Sequence, residues 1–218
     1  FFLRSHIVDF SRNFDVYVAH NTNIDSYCPN ITDICNVKNI SIQRRFGFMY
    51  DFFALFQLAR LTCRLNPVIV ISVAPKPGLL GMMISALLGV KVRVHIFQGE
   101  VWPNRKGISR LILKSCDAFI IKSATHLLCV SPSEKKLLEN NFFFESNKLR
   151  VLGNGTICGV KSKFLTFDRD LSFRDRHRHG LKEDSRVCVY LGRICYEKGV
   201  RDLIIAFSRI DHDCRNVQ

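Results

Sequence analysis

The sequence lacks an apolar run long enough to span a bilayer. Its longest run, GLLGMMISALLGV, is interrupted by glycines and falls short of the roughly 20 residues that a transmembrane helix needs. The sequence also lacks any C-x-x-C pair, since its nine cysteines are widely spaced. This spacing excludes the compact ligand set of a structural zinc site. We therefore expect no bound metal, and we predict that the cysteines are mostly buried thiols of a reducing compartment.

Acidic residues are scarce as well. Asp and Glu total 19 against 32 Lys and Arg, which leaves a formal net charge of +13. Such a surplus favours anionic partners: nucleic acid, an anionic membrane surface or phosphorylated small molecules. No basic arm and no aromatic-interleaved RNA motif accompanies the charge, so we expect no nucleic-acid partner. The 47% apolar content indicates a folded globular protein.

Apolar, β-branched runs alternate with segments of helical periodicity along most of the chain. The alternation predicts an α/β fold built on a Rossmann-like, doubly wound parallel sheet. Ser131 followed by proline predicts the start of one of the helices. The predicted strands are 14–20, a weaker run near residue 40, 67–73, 91–97, 126–131 and 148–153. The predicted helices are 46–65, 74–90, 108–123 and 132–141.

The composition of the chain changes after this alternation. Residues 153–184 are rich in glycine, arginine and aspartate without a stable period, so we predict a linker there, with the Asp-Arg-Asp at 168–170 on its surface. Beyond it, SRVCVYLG predicts a buried strand and GVRDLIIAFSRI an amphipathic helix. We therefore expect residues 1–152 to form an amino-terminal domain and residues 185–218 to be the first βα unit of a second Rossmann-like domain.

The second predicted domain opens with a turn of particular composition. Gly192 and Arg193 follow its strand, and Lys198 and Gly199 precede its helix. Glycine lets backbone approach a ligand, arginine offers a planar fork for phosphate oxygens, and lysine adds charge near a helix start whose free N–H groups already favour anions. The pattern favours a diphosphate cradle, and a turn of solvated cations is the alternative.

Four stretches of the sequence resemble bacterial family 4 glycosyltransferases with the GT-B fold, in order and in spacing. The similarity is greatest to the branch that extends lipid-linked oligosaccharides for capsule, O-antigen or N-glycan assembly. It implies retaining transfer of a hexose or N-acetylhexosamine from a UDP-sugar to a polyprenyl diphosphate-linked saccharide, with no metal or other cofactor. It also implies a cytoplasmic enzyme peripheral to the inner membrane face. The stretches are KPGLLGMMISALLGVKVRVHIFQGEVW, ATHLLCVSPSEKKLL, KLRVLGNGTICGV and VYLGRICYEKGVRDLIIAF.

The resemblance assigns roles to several residues. It implies that Arg193 and Lys198 hold the donor diphosphate and stabilise the leaving nucleoside diphosphate. Gln98 stands where many relatives carry a histidine that contacts the reacting sugar, and Glu100 follows it. We expect Gln98 and Glu100 to orient donor or acceptor hydroxyls, without either being a general base. His95, within the preceding strand, is predicted to be a core histidine.

Two further groups complete the predicted site. The first lies at the hinge beside the cleft and comprises Asn154, Gly155 and Thr156. The second lies on the acceptor or membrane side and comprises Lys76, Gly78, Trp102, Arg105 and Lys106. In the second group, an aromatic ring beside cations is typical of a lipid interface.

The chain also departs from the resemblance. Relatives begin with a strand and a glycine-bearing loop upstream of FFLRSHIVDF, and they carry an E-x7-E motif that contacts the donor sugar. Because neither is present, we expect the chain to be truncated at both ends and inactive on its own. Two alternatives stay open: a non-hydrolysing UDP-sugar epimerase of the same fold, and a basic non-enzymatic module that binds anionic lipid or nucleic acid.

Overall fold

The computed structural model describes residues 3–21, 30–43, 47–145, 147–159, 168–182 and 185–213. The chain divides into two compact units, residues 1–159 and residues 160–218.

Helices and strands alternate through the described part of the first unit. From residue 67 onward they follow the predicted order, with ends that differ by a few residues. The short helix α1 has no counterpart in the predictions, because its single buried residue, Ile7, gives no readable period. In chain order the elements are α1 (Arg4–Phe10), β1 (Tyr17–His20), β2 (Asn36–Asn39), α2 (Phe48–Leu65), β3 (Ile69–Val73), α3 (Pro75–Leu87), β4 (Val92–Ile96), α4 (Gly107–Ser123), β5 (His126–Cys129), α5 (Pro132–Asn141) and β6 (Leu149–Val151).

The strands form two parallel sheets. Strands β3, β4, β5 and β6 lie side by side in that order, each parallel to the next. Strands β1 and β2 pair with each other in a separate parallel sheet. The weak strand predicted near residue 40, from the run Ile-Ser-Ile at 40–42, is misplaced by a few positions. The strand that forms is Asn36 to Asn39, whose residues align with Tyr17 to His20. The parallel α/β architecture predicted from the alternation is confirmed.

One hydrophobic cluster joins the four-stranded sheet to the helices that connect its strands. Full burial of a leucine, isoleucine, phenylalanine or methionine side chain stabilises a fold by about 1.5–3 kcal/mol relative to leaving it exposed. The cluster consists of Met82, Phe97, Ile120, Ile121, Ala124, Leu127, Cys129, Leu138 and Leu149.

His95 is a core residue, as predicted. Its side chain in β4 is 1% exposed, and its Nδ1 lies 2.8 Å from the hydroxyl of Ser72 in β3. The imidazole meets the Phe97 ring edge to face, with centroids 4.5 Å apart. Burial lowers the pKa of His95 to about 4, because desolvation disfavours the charged ring.

The cysteines are less buried than predicted. Cys35 and Cys129 are buried, but Cys63, Cys158 and Cys188 are exposed. The prediction that the cysteines are mostly buried is therefore wrong for the described residues. Cys28 and Cys214 lie outside the described residues.

The described part of the second unit contains two α-helices, α6 (Arg169–Arg178) and α7 (Val200–Asp213), with a short 3-10 helix at Tyr196–Lys198 just before α7. Helix α6 corrects the expectation of an irregular linker, since the Asp168 carboxylate caps it by accepting the amides of Asp170 and Leu171. The expectation that 168–170 is surface is confirmed.

The prediction of a buried strand at 185–192 is wrong for the described residues, which hold one β-bridge residue there, Arg186, and no strand. Val189 is 82% exposed and Leu191 is 97% exposed. A buried strand needs a neighbouring strand on which to form a ladder, and residues 185–192 belong to neither of the two sheets that the described residues form. The amphipathic helix predicted after the turn is present as α7.

Candidate functional site

The carboxyl ends of β3 to β6 lie at one edge of the four-stranded sheet, because all four strands are parallel. In open α/β sheets this edge borders the ligand crevice. The loops that leave it carry the residues predicted to act in the amino-terminal half of the site.

The loop after β4 carries the two candidate catalytic side chains. Gln98 is exposed, whereas Glu100 is half-buried. Between them, Gly99 has a φ of +92°, a backbone conformation that favours glycine. The Gly99 N–H donates a hydrogen bond to the carboxylate of Glu134, in the first turn of α5. The loop is therefore tied through its backbone to the helix that follows the next strand.

The carboxyl group of Glu100 faces that of Asp117 in α4. Both residues line one small cavity of about 30 Å³. Burial, then a hydrogen bond with Asp117, then the charges of Asp117 and Glu134 raise the pKa of Glu100 to about 10. This shift favours the neutral form of Glu100 near pH 7, and burial raises the pKa of Asp117 as well. The Glu100 side chain therefore packs between the loop after β4 and helix α4.

Trp102 is buried beneath two cations of α4. The indole is 1% exposed, the Arg110 guanidinium lies 5.7 Å from its centroid and the Lys114 ammonium lies 5.2 Å from it. Phe142 meets the ring edge to face on another side, with centroids 5.9 Å apart. The expectation that Trp102 itself contacts lipid is therefore wrong, because α4 folds back over the ring. Arg105 and Lys106 are exposed just before α4, as a surface role requires.

Lys76 and Gly78 also lie inside the structure. Lys76 is 8% exposed, and its Nζ lies 2.5 Å from an Asp51 carboxylate oxygen in α2. Gly78 is buried against the His95 ring. The expectation that these two residues face an acceptor or a membrane is wrong, because the first turn of α3 packs on α2 and on the sheet.

The loops after β5 and β6 are joined by their backbones. The Thr156 N–H donates to the Val130 carbonyl at 2.7 Å, with Thr156 at a φ of +62°. A β-carbon at Gly155 would lie 2.4 Å from the same carbonyl oxygen, so this approach requires glycine. Asn154 is exposed beside them. The predicted hinge residues therefore form a close contact with the next loop of the same edge.

In the second unit, the predicted diphosphate residues lie on an exposed turn. Gly192, Arg193 and Lys198 are exposed, and the Tyr190 hydroxyl donates to the Arg193 carbonyl at 2.9 Å. Gly199 has a φ of +68° and directly precedes the first residue of α7. The turn thus presents two cations close to a helix amino terminus.

A larger open concavity of about 760 Å³ lies elsewhere in the first unit. Its lining includes Lys122, His126, Lys148 and Arg150, at the amino ends of β5 and β6. It is therefore at the sheet edge opposite to the predicted crevice.

The described residues offer neither a metal-binding cluster nor a membrane-spanning helix. They contain no group of three or more His, Cys, Asp or Glu side chains that could hold a metal ion. None of their helices combines the length and the apolar character needed to cross a bilayer.

Sequence reasoning missed the two carboxylates behind the Gln98 loop. Asp117 appears in the sequence only as one acid within a predicted helix. Glu134 stands three residues after Ser131 at a predicted helix start, and this spacing is that of a capping box. The structure confirms the cap, since Ser131 Oγ accepts the Glu134 N–H at 3.1 Å, but the contact with Gly99 has no local signal in the sequence.

A solved structure shares this architecture. The structure of Anabaena Alr3699/HepE in complex with UDP and glucose superposes with a TM-score of 0.71 at 13% identity, covering 99% of this chain and 55% of that one. This likeness confirms the predicted GT-B class of fold.

Two curated relatives are similar in sequence. The capsular polysaccharide biosynthesis glycosyltransferase CapM of Staphylococcus aureus is 26% identical over 209 residues, 95% of this chain and 53% of CapM. The UDP-Gal:alpha-D-GlcNAc-diphosphoundecaprenol alpha-1,3-galactosyltransferase of Escherichia coli is 26% identical over 156 residues, 71% of this chain and 39% of that enzyme. The chain thus spans about half the length of the curated relatives it matches, or less.

The sequence model of Glycosyltransferase Family 4 matches residues 10–158. This match covers more than half of the chain and includes the Gln98 loop, the buried carboxyl pair behind it and the predicted hinge residues after β6. On this evidence the chain belongs to Glycosyltransferase Family 4.

Proposed function

We propose that the protein transfers a hexose or N-acetylhexosamine from a UDP-sugar to a polyprenyl diphosphate-linked saccharide during assembly of a surface polysaccharide. The family match over residues 10–158 carries this proposal. The names of the two curated relatives support it further, since one acts in capsule biosynthesis and the other on a diphosphoundecaprenol-linked sugar.

The turn of the second unit is proposed to hold the donor diphosphate. Arg193 and Lys198 are both exposed there, so their charges are available to a ligand. Hydrogen bonds from these cations to phosphate oxygens would strengthen as negative charge develops on the leaving UDP, which is the form of stabilisation that lowers a transition-state barrier. On this proposal the two cations take the part that a metal ion plays in other transferases.

Gln98 is proposed to orient a hydroxyl of the reacting sugar. Its amide can both donate and accept hydrogen bonds, and its side chain is exposed at the crevice edge of the sheet. Glu100 is withdrawn from this role, because its carboxyl is engaged with Asp117. In a retaining reaction the leaving phosphate would help to deprotonate the acceptor, so the proposal needs no basic side chain.

Helix α4 is proposed to rest on the inner face of the membrane. Ile108, Leu111 and Ile112 are each more than half exposed and lie on one helix face, next to the exposed Arg105 and Lys106. Apolar side chains flanked by cations fit an interface with anionic lipid. This surface replaces the buried Trp102 as the proposed lipid contact.

The decisive experiment measures transfer by the intact protein. Radiolabelled UDP-sugars are offered with a polyprenyl diphosphate-linked acceptor, with and without EDTA, and the anomeric configuration of the product is read by NMR. Transfer with retention that persists in EDTA supports the proposal. Conversion of a free UDP-sugar into its epimer would instead establish an epimerase. Tight binding of polyanions without any affinity for UDP would establish a binding module.

A further inference from the structure

Glu134 is a buried acid whose backbone position is fixed. It lies in the first turn of α5 and is 7% exposed. Its N–H donates to Ser131 Oγ at 3.1 Å, which caps the helix. The neighbouring Lys135 reaches Glu139, with 3.7 Å between the charged atoms. The cap therefore fixes the backbone position of Glu134, and burial restricts the conformations open to its side chain.

Both carboxylate oxygens of Glu134 accept backbone amides from loops at the crevice edge. Oε2 accepts the Val130 N–H, after β5, at 2.8 Å. Oε1 accepts the Gly99 N–H, after β4. Hydrogen bonds to an ionised acceptor are about twice as strong as neutral ones. One side chain thus ties together the exits of two adjacent strands.

The residues around Gly99 are held from other directions. The Glu100 carboxyl engages Asp117 of α4, and Trp102 is enclosed by α4 and by Phe142. Gln98 precedes Gly99 directly and keeps its side chain exposed. The orientation of the Gln98 peptide therefore follows from where the Gly99 amide is held.

We infer that Glu134 is a positioning residue, which fixes Gln98 at the crevice by holding the Gly99 amide. The inference rests on the proposed function, in which Gln98 contacts the reacting sugar. Glu134 itself does not touch substrate. Its effect is on the geometry of the reacting groups, and a displacement of about 1 Å can cost about 100-fold in rate.

Glu134→Gln is the informative substitution. A glutamine keeps the size of the side chain but replaces one carboxylate oxygen by an NH₂ group, so one of the two backbone amides loses the oxygen that accepts it. Its NH₂ group would then face an N–H donor. The matched control is Glu139→Gln, which removes the same charge from an exposed position on the same helix.

The intact protein is assayed for sugar transfer, and backbone amide exchange is followed by NMR or mass spectrometry. In Glu134→Gln we expect the Gly99 segment to exchange at least about tenfold faster and kcat to fall about 10- to 100-fold. We expect the donor KM to change less than about threefold, and Glu139→Gln to behave as wild type. Faster exchange at Gly99 with unchanged kcat would overturn the inference. Should Glu134→Gln not fold, Glu134→Asp, whose shorter side chain cannot span both amides, is judged by the same criteria.

A double-mutant cycle with Gln98→Ala separates the inference from the function on which it rests. If Glu134 acts by placing Gln98, the loss caused by Glu134→Gln should largely disappear in the Gln98→Ala background. Losses that multiply instead would overturn the positioning role while leaving Gln98 in the site. If Gln98→Ala alone transfers sugar at the wild-type rate, the proposed function of the loop fails, and the positioning inference fails with it.

Discussion

Gly78 packs directly against the imidazole of His95, so that a β-carbon at Gly78 would lie 2.3 Å from the ring Cε1 and 2.8 Å from Nδ1. The ring cannot move away freely, because its Nδ1 is hydrogen-bonded to Ser72 and it packs edge to face with Phe97. Helix α3 therefore approaches β4 only because residue 78 has no side chain.

Gly78→Ala should destabilise the protein. Overpacking of a filled core costs about 1–3 kcal/mol, and urea unfolding of the chain measures it as a lower midpoint. Gly81→Ala is the control in the same helix, since its β-carbon would lie 3.8 Å from the nearest atom, an ordinary contact. Because alanine favours helix by up to about 1 kcal/mol, Gly81→Ala should be neutral or stabilising. Equal effects of the two substitutions would show that the contact with His95 does not matter.

Glu100→Gln should change how stability depends on pH. The native state holds the Glu100 proton up to a pKa of about 10, whereas the unfolded chain loses it near its usual value of 4.5. Between these values the native state binds more protons, so the free energy of unfolding falls as pH rises, by up to about 1.4 kcal/mol per pH unit.

A neutral glutamine removes this dependence. Glu100→Gln should therefore match wild type near pH 4.5 and exceed its melting temperature at pH 8.5, as scanning calorimetry would show. Glu139→Gln, which changes an exposed acid, should leave the slope unaltered. A wild-type slope in Glu100→Gln would show that Glu100 is ionised in the native protein.

Arg193→Ala and Lys198→Ala should each weaken UDP binding by the intact protein about 10- to 100-fold, because a hydrogen bond to a charged group contributes about 1.5–3 kcal/mol. Isothermal titration calorimetry measures the affinity. Arg209→Ala removes an exposed cation from the far end of α7 and should bind UDP normally. A similar loss in all three variants would indicate an effect of net charge and not a diphosphate site.

Arg105→Gln and Lys106→Gln should each weaken binding to vesicles that contain phosphatidylglycerol by about fivefold, since a basic residue near an anionic surface contributes about 1 kcal/mol. Ile108→Ser should weaken it further by exposing less apolar surface to the bilayer. Vesicle co-sedimentation is the measurement, with Lys136→Gln on α5 as the charge control. Binding that is equal to neutral and anionic vesicles would contradict a role for the cations.

The sequence predicted those features that depend on neighbouring residues. Runs of β-branched residues predicted β3 and β4 to within two positions, and the Ser131-Pro132 pair predicted the start of α5. The burial of His95 followed from its place within an apolar strand. In these cases the side chains that determine the structure lie within a few residues of it.

Predictions failed where a distant segment decides the outcome. Trp102 was predicted to lie at a lipid interface, but it is buried because Arg110 and Lys114 of α4 pack over its ring. Residues 185–192 have the composition of a buried strand, but composition supplies no partner for its hydrogen bonds. Lys76 looked like a surface cation until α2 brought Asp51 to it.

The sequence by itself determined the α/β alternation, the family resemblance and the cations of the Gly192 to Gly199 turn, because each depends only on which residues lie near one another along the chain. The tertiary structure alone decided that Glu134 holds Gly99, that burial beside Asp117 raises the pKa of Glu100 and that Gln98 stays exposed. The physical reason is that hydrogen bonds and burial act through space. Residues 35 positions apart along the chain meet only once parallel strands have brought their loops to one edge.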